Sequence, residues 1–390
     1  MQHNKERLLL LTLVHPDFLP PVYATAQSLR DLNYDITIVT FDSFVPAPVE
    51  LGENISVETL GKHHNVPLKQ RMALRSKFKK HAQQKLAEGG FKAIIAFCPF
   101  SFNTGVQIKG GIPLMYYAME TANFTIADLK RSPLTAISAY KTLHSLTEAS
   151  FVATPSFQRS AWLAGRCGLN FMPETILNTA YITNHVKKAD DREVLKAILP
   201  DWVFDKKMVL YTGAVNDRLC VKELVEAYDQ LNDTTSILIV TGFKDNAYCK
   251  SIKDYVAGSK NKESIFLLPY VTREEMLALQ GVADIGACLM KEIPGMIASQ
   301  MLAPNKTGEY LSKGLYVLGV KNFYMNMFEA AGVGSLAATA SVPDISAALR
   351  EAMKAIGRAG YKDRISNYVQ EYFCMQKQAA PMADALKKMP

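Results

Sequence analysis

No stretch of this chain approaches the roughly 20 apolar residues needed to cross a bilayer. The longest apolar runs, such as Leu8 to Val14 and Ile237 to Thr241, are far shorter, so no transmembrane helix is expected. The six cysteines, Cys98, Cys167, Cys220, Cys249, Cys288 and Cys374, are scattered, with no Cys-x-x-Cys pair and no His beside them at ligand spacing. That pattern argues against a zinc site or a disulfide framework and reads as reduced thiols, mostly in the core. No Asp-x-Asp closes a strand, and Asp190-Asp191 stands in a polar stretch where solvation is its expected role, so no essential metal is expected. Lys5, Glu6 and Arg7 precede only a brief apolar run without a small-residue cleavage site, which predicts no signal peptide and makes the cytoplasm the default address. Internal repeats and low-complexity tracts are missing too.

What is present is globular composition, 48% hydrophobic and 21% charged, over 390 residues. That length suits two domains, each able to bury its own core. Short apolar runs alternate with helix-period segments from end to end, the pattern of parallel sheets joined by crossover helices. In the first half the runs are Leu8 to Val14, Ile36 to Phe41, Ala93 to Phe97, Leu114 to Tyr117 and Phe151 to Thr154. In the second they are Met208 to Thr212, Ile237 to Thr241, Ile265 to Leu268, Ile285 to Leu289 and Leu315 to Gly319. Thr272 and Glu275 predict a capping box that opens a helix to Val282. The expected division is an N-terminal Rossmann-like domain over 1–172, a second over 173–364 and a terminal helix over 365–390 that packs back on the first. Two α/β domains in tandem place the binding site at the carboxyl ends of their strands, in a cleft between them.

The formal charge is +7 and unevenly spread. Lys69, Arg71, Arg75, Lys77, Lys79, Lys80 and Lys85 come with no acidic residue before Glu88, while Leu74, Phe78, Ala82 and Leu86 recur every fourth position. This predicts an amphipathic helix with a basic outer side. A solvated face is one reading. The other is attraction to an anionic membrane surface, at roughly 1 kcal/mol per basic residue. Aromatics are not interleaved as nucleic-acid binding would require.

The most informative stretch runs from Ala303 to Val317, Ala-Pro-Asn-Lys-Thr-Gly-Glu-Tyr-Leu-Ser-Lys-Gly-Leu-Tyr-Val. It reads as a loop, a helix with Pro304 in its first turn, and then a buried strand. The free N–H groups of such a helix start form a place for phosphate oxygens, and Lys306 adds a point charge. One turn on, Glu309 could accept hydrogen bonds from a pair of sugar hydroxyls. Taken alone, the stretch reads equally as an ordinary capped helix. As a whole it resembles the Pro-Asn-Lys-x-x-Glu-Tyr-x-x-x-Gly-x-x-Val signature of GT-B glycosyltransferases, specifically the retaining family 4 of bacterial polysaccharide and lipid-linked sugar transferases. Leu210-Tyr211-Thr212-Gly213, Leu267 to Glu275 and Val282 to Gly286 agree with it, and Tyr116 to Glu120 does so more loosely.

The resemblance implies that the second domain binds a UDP- or GDP-linked sugar and the first a glycan or lipid-linked acceptor. Glu309 would hold the donor ribose, and Asn305 and Lys306 would approach the diphosphate. Gly213 would let its loop reach the donor, and the backbone at Tyr270 and Val271 would face the nucleobase. Lys306 and Arg218 would stabilise the leaving diphosphate; Glu120 and, on the acceptor side, His15 complete the candidate set. Retention of configuration and a role in cell-surface polysaccharide synthesis also follow from the resemblance, while peripheral association with the inner face of the membrane rests on the basic helix over 69–85.

Four positions depart from the family pattern. Met301 stands where a first glutamate is usual, Ala214 and Leu219 where Arg and Lys clamp the diphosphate, and Met119 where a His is common. The loop from His15 to Pro21 also lacks the usual glycine pair. These changes keep open a catalytically weak GT-B subunit that binds a sugar nucleotide or a partner transferase. A GT-B epimerase fits less well, since no carboxylate pair is evident for proton abstraction.

Overall fold

The structure is a computed structural model that describes residues 5–16, 19–42, 52–63, 66–120, 129–130, 132–182, 191–292 and 301–390. Asp17, Phe18, His64 and Asp190 lie outside them. The chain forms two compact units, one of residues 1–181 with 375–390 and the other of residues 182–374.

The first unit is built on a sheet of β1 (Arg7–Leu11), β2 (Asp35–Thr40), β3 (Ile55–Thr59), β4 (Phe91–Ala96), β5 (Leu114–Tyr117), β6 (Phe151–Thr154) and β7 (Glu174–Thr175). Their order is β3-β2-β1-β4-β5-β6-β7, and the pairings are parallel. Both faces are covered, which is why β1 is apolar at every position after Arg7. Leu8 and Leu10 pack on one side with Val22 and Leu29 of helix Pro20–Asp31 and with Met375, Met382 and Leu386. Leu9 and Leu11 pack on the other with Phe78, Phe102 and Leu143. Residues 361–388 form three helices, Tyr361–Glu371, Met375–Gln378 and Ala380–Lys388, the last two of which belong to the first unit.

The second unit carries β8 (Lys207–Tyr211), β9 (Ser236–Phe243), β10 (Ile265–Pro269), β11 (Ile285–Cys288), β12 (Tyr316–Val320) and β13 (Gly334–Ala337). The order is β10-β9-β8-β11-β12-β13, again parallel. The strand order reverses between β1 and β4 in one sheet and between β8 and β11 in the other. At such a reversal the loops leave the carboxyl edge in opposite directions and open a crevice for ligands.

Two local expectations change. Pro304 is the N-cap, with φ −68° and ψ 134°, and the helix begins at Asn305; the Pro304 carbonyl is turned to accept the Thr307 hydroxyl at 2.8 Å. Asp191, expected in a polar loop, starts a short helix to Leu195, whose Leu195 is fully buried. The Thr272–Glu275 capping box forms as expected, with both reciprocal hydrogen bonds made.

The basic helix is Leu68–Ala87, with Phe78 and Ala82 buried. Part of its charge serves the fold. Arg75 lies over the Phe100 ring at 4.6 Å and donates to Leu134 O, Lys77 donates to Leu60 O, and Lys85 pairs with Glu58 and Glu88 at 2.8 Å. Leu68 and Met72 are more than half exposed. Among the described residues, Lys69, Lys79 and Lys80 have no ion-pair partner.

Candidate functional site

Loops at the carboxyl edge of the second sheet bring most of the donor-side candidates together. After β8 the chain turns sharply at Gly213, whose φ of +115° suits only glycine. A Cβ there would lie 3.0 Å from Lys306 Cε and 3.1 Å from its Nζ. The missing side chain is thus what admits the lysine. Below it, Gly242 has φ +98°, and a Cβ on it would fall 1.9 Å from the Gly213 carbonyl oxygen. The two glycines let two strand ends touch backbone to backbone.

The helix Asn305–Ser312 supplies the other half. Its Tyr310 is fully buried, and the phenol oxygen lies 3.1 Å from both Thr212 N and Thr212 Oγ1. That bond joins the motif helix to the loop carrying Gly213. Room for the ring comes from Gly286, where a Cβ would lie 2.4 Å from the ring carbons. Lys306 Nζ sits 3.9 Å from the centroid of the Tyr211 ring. Among the described residues no carboxylate lies within ion-pair distance of it. Burial is the main cause that pushes this ammonium down to about 8, against weaker attraction from Cys288 and Glu309. Cys288, buried beside it, is pushed up to about 11.

Glu309, 12% exposed at its side chain, is held by Arg273, with Nη2 2.5 Å from Oε1. Arg273 is the first residue of the helix that follows Tyr270, Val271 and the Thr272 cap. It was not a sequence candidate. No local signal marked it, since its own first turn already carries Glu274 and Glu275 and its partner carboxylate lies on another helix. Arg273 Nε is buried without a hydrogen-bond partner among the described residues, and the Glu309 carboxylate makes no contact there beyond this ion pair, so both side chains retain capacity for a ligand.

Tyr270 is 56% exposed, with Lys244 Nζ 5.1 Å from its ring centroid; Val271 is half-buried. Asn305, half-buried, adjoins Lys306 at the helix start. Arg218 is turned to the loop after β11. Its Nη2 lies 3.6 Å from Met290 Sδ, its carbonyl accepts from Lys291 N–H, and its Nε is buried without a partner. Lys291 itself is pushed up by Asp217 and Glu223, which flank it at 2.7 and 2.6 Å despite partial burial. Met301 is buried.

In the first unit, His15 follows β1 and is buried. Glu120 follows β5 and is exposed. It lines a small cavity with Tyr116, Thr154, Arg159 and Trp162. Arg159 donates to the Met119 carbonyl. The Tyr116 hydroxyl is buried with no hydrogen-bond partner among the described residues, and burial pushes its pKa well above the ordinary phenol range. Groups of three or more His, Cys, Asp or Glu arranged to hold a metal ion do not occur among the described residues.

No family's sequence model matches the chain, and no curated protein sequence does. Solved structures do resemble it over nearly full length. Sucrose-phosphate synthase from Thermosynechococcus elongatus superposes with a TM-score of 0.70 at 16% identity, covering 98% of this chain and 99% of that one. HepE from Anabaena, in complex with UDP and glucose, gives 0.66 at 15% identity and covers 98% and 100%. A glycosyltransferase from Rickettsia africae gives 0.68 at 11%, covering 99% of each chain. At these identities the likeness establishes the fold, which is GT-B: two Rossmann-like, doubly wound parallel-sheet domains.

Proposed function

We propose that the chain is a glycosyltransferase that moves a sugar from a UDP- or GDP-linked donor to a hydroxyl of a glycan or lipid-linked acceptor, with retention. The observation that carries this reading is the Lys306 ammonium, half-buried and without a carboxylate partner among the described residues, beside the glycine turn at 213 and one helical turn from Glu309. A partly desolvated cation without a carboxylate partner is poised to take up an anion. A nucleoside diphosphate supplies that anion, and its ribose diol suits the spare acceptor capacity of Glu309. The bound UDP in the HepE structure is in keeping with this donor class.

In the reaction, the bond between the anomeric carbon and the diphosphate oxygen breaks, and the charge growing on the diphosphate is stabilised by Lys306, Arg218 and the helix-start N–H groups at Asn305. The acceptor oxygen bonds to the same face of the carbon, and its proton passes to the leaving phosphate oxygen. Gly213 gives the diphosphate its approach, and Tyr270 and Val271 face the base. Glu120 and His15, at the carboxyl edge of the first sheet, serve the sugar and acceptor side. No metal is required in this scheme. The exposed Leu68 and Met72 beside Lys69 support a peripheral site on an anionic membrane at the cytoplasmic face.

Calorimetry with UDP and GDP, followed by a panel of their sugars, tests the reading. Binding and slow donor hydrolysis are expected, and Glu309→Ala lowers UDP affinity about tenfold, the order of a lost charge-assisted hydrogen bond. Unchanged binding and turnover in that variant would remove the donor-site assignment. Met119, Met301, Ala214 and Leu219 favour the second reading, a binding subunit; UDP binding with no turnover of any donor would select it.

A further inference from the structure

We propose that Arg273 is a positioning residue that holds the Glu309 carboxylate away from Lys306 and so keeps the Lys306 ammonium open for a diphosphate. The inference rests on the donor-site reading above. Lys306 and Glu309 stand three residues apart on one helix, a spacing at which side chains of opposite charge pair directly. In this structure they do not pair. Lys306 faces the Tyr211 ring at 3.9 Å, and the carboxylate is taken at 2.5 Å by a guanidinium from another helix.

Two cations therefore compete for one carboxylate, and Arg273 has the advantages. Its guanidinium is planar, permanently charged and weakly hydrated, whereas partial desolvation lowers the Lys306 ammonium and weakens its hold on a charge. The capping box at Thr272 and Glu275 fixes the first turn from which Arg273 projects. Without Arg273, the cations within a turn of Glu309 are Lys306 and Lys313, the latter exposed at the C-cap, and a Lys306–Glu309 pair would occupy both the diphosphate cation and the ribose acceptor at once. Arg273 makes no contact with the reacting atoms in this scheme; it sets which charges are free.

The test is calorimetry of inorganic pyrophosphate and of UDP on the full chain. Pyrophosphate probes Lys306 without a ribose. Arg273→Gln should weaken pyrophosphate about tenfold, the order of one charge pair at a partly buried site. Adding Glu309→Gln in that background should restore it to within about threefold of wild type, because no carboxylate remains to quench Lys306. Glu309→Gln alone should weaken UDP but not pyrophosphate, and Arg273→Lys should retain most of the pyrophosphate affinity. Arg273→Gln binding pyrophosphate as tightly as wild type would overturn the proposal, and so would a double variant as weak as the single one. Should Arg273→Gln fail to fold, a loss of pyrophosphate affinity in Glu309→Gln alone overturns it. If the wild type binds neither UDP nor pyrophosphate, the donor-site reading falls first.

Discussion

Lys306 states in one side chain the conflict between stability and binding. Its folded value lies near 8, below the unfolded lysine value of 10.5, so the unfolded chain holds more protons between those limits and the charged form is disfavoured by folding. A bound diphosphate reverses the preference, raising the lysine and taking up a proton. UDP affinity should therefore be level below pH 8 and fall by up to about tenfold per pH unit above it, as titration calorimetry from pH 6.5 to 9.5 would show. The groups facing Nζ are Tyr211, Cys288 and Glu309; burial lifts both Tyr211 and Cys288, so neither supplies a competing step near pH 8. Lys306→Met should raise the melting temperature of the unliganded protein by a few degrees, as a partly desolvated charge gives way to an apolar thioether, while abolishing UDP binding.

Tyr310 makes the complementary case. Its hydroxyl accepts from the buried Thr212 N–H, and Tyr310→Phe leaves that donor without a partner. A loss of about 1–3 kcal/mol is expected in urea unfolding, together with weaker UDP binding because the Gly213 loop loses its tie to the motif helix.

At the scale of elements, the backbone contact between the ends of β8 and β9 sets where the Gly213 loop can lie. Gly242→Ala would push a methyl into the Gly213 carbonyl and force a residue with a side chain into φ near +98°. Destabilisation of several kcal/mol and at least a tenfold loss of UDP affinity are expected from melting and calorimetry.

Elements also explain what was readable in advance. Every interior strand of both sheets lies in a run marked in the sequence, because strands buried on both faces are continuously apolar. The strands that escaped are β3, β7 and β13, all at sheet edges. Ile55–Thr59 alternates polar and apolar residues, β7 has two residues, and Gly334–Ala337 lacks β-branched side chains. The edge strand β10 was visible because Ile-Phe-Leu-Leu is apolar throughout. Lys306 and Glu309 were singled out through one contiguous motif, and Gly213 through the separate run Leu210 to Gly213. Arg273 was not, since its meaning depends on a carboxylate on another helix, and no local spacing encodes that pair.

For the whole molecule, the first unit is discontinuous. Its core holds Met375, Met382 and Leu386 against Leu8, Leu10 and Val22, although residues 182–374 form the other unit. Met382→Ala and Leu386→Ala should each cost about 2–5 kcal/mol and lower the melting of the first unit in particular, which calorimetric scanning resolves if the two units melt separately.

That discontinuity orders events in time. Residues 375–390 are synthesised after the whole of residues 182–374, so the segment that closes the Leu8 and Leu10 side of the first sheet arrives only after the second unit has been made. A released chain truncated just before residue 375 would keep every residue of the second unit and display a first unit with that side of its sheet open to chaperones.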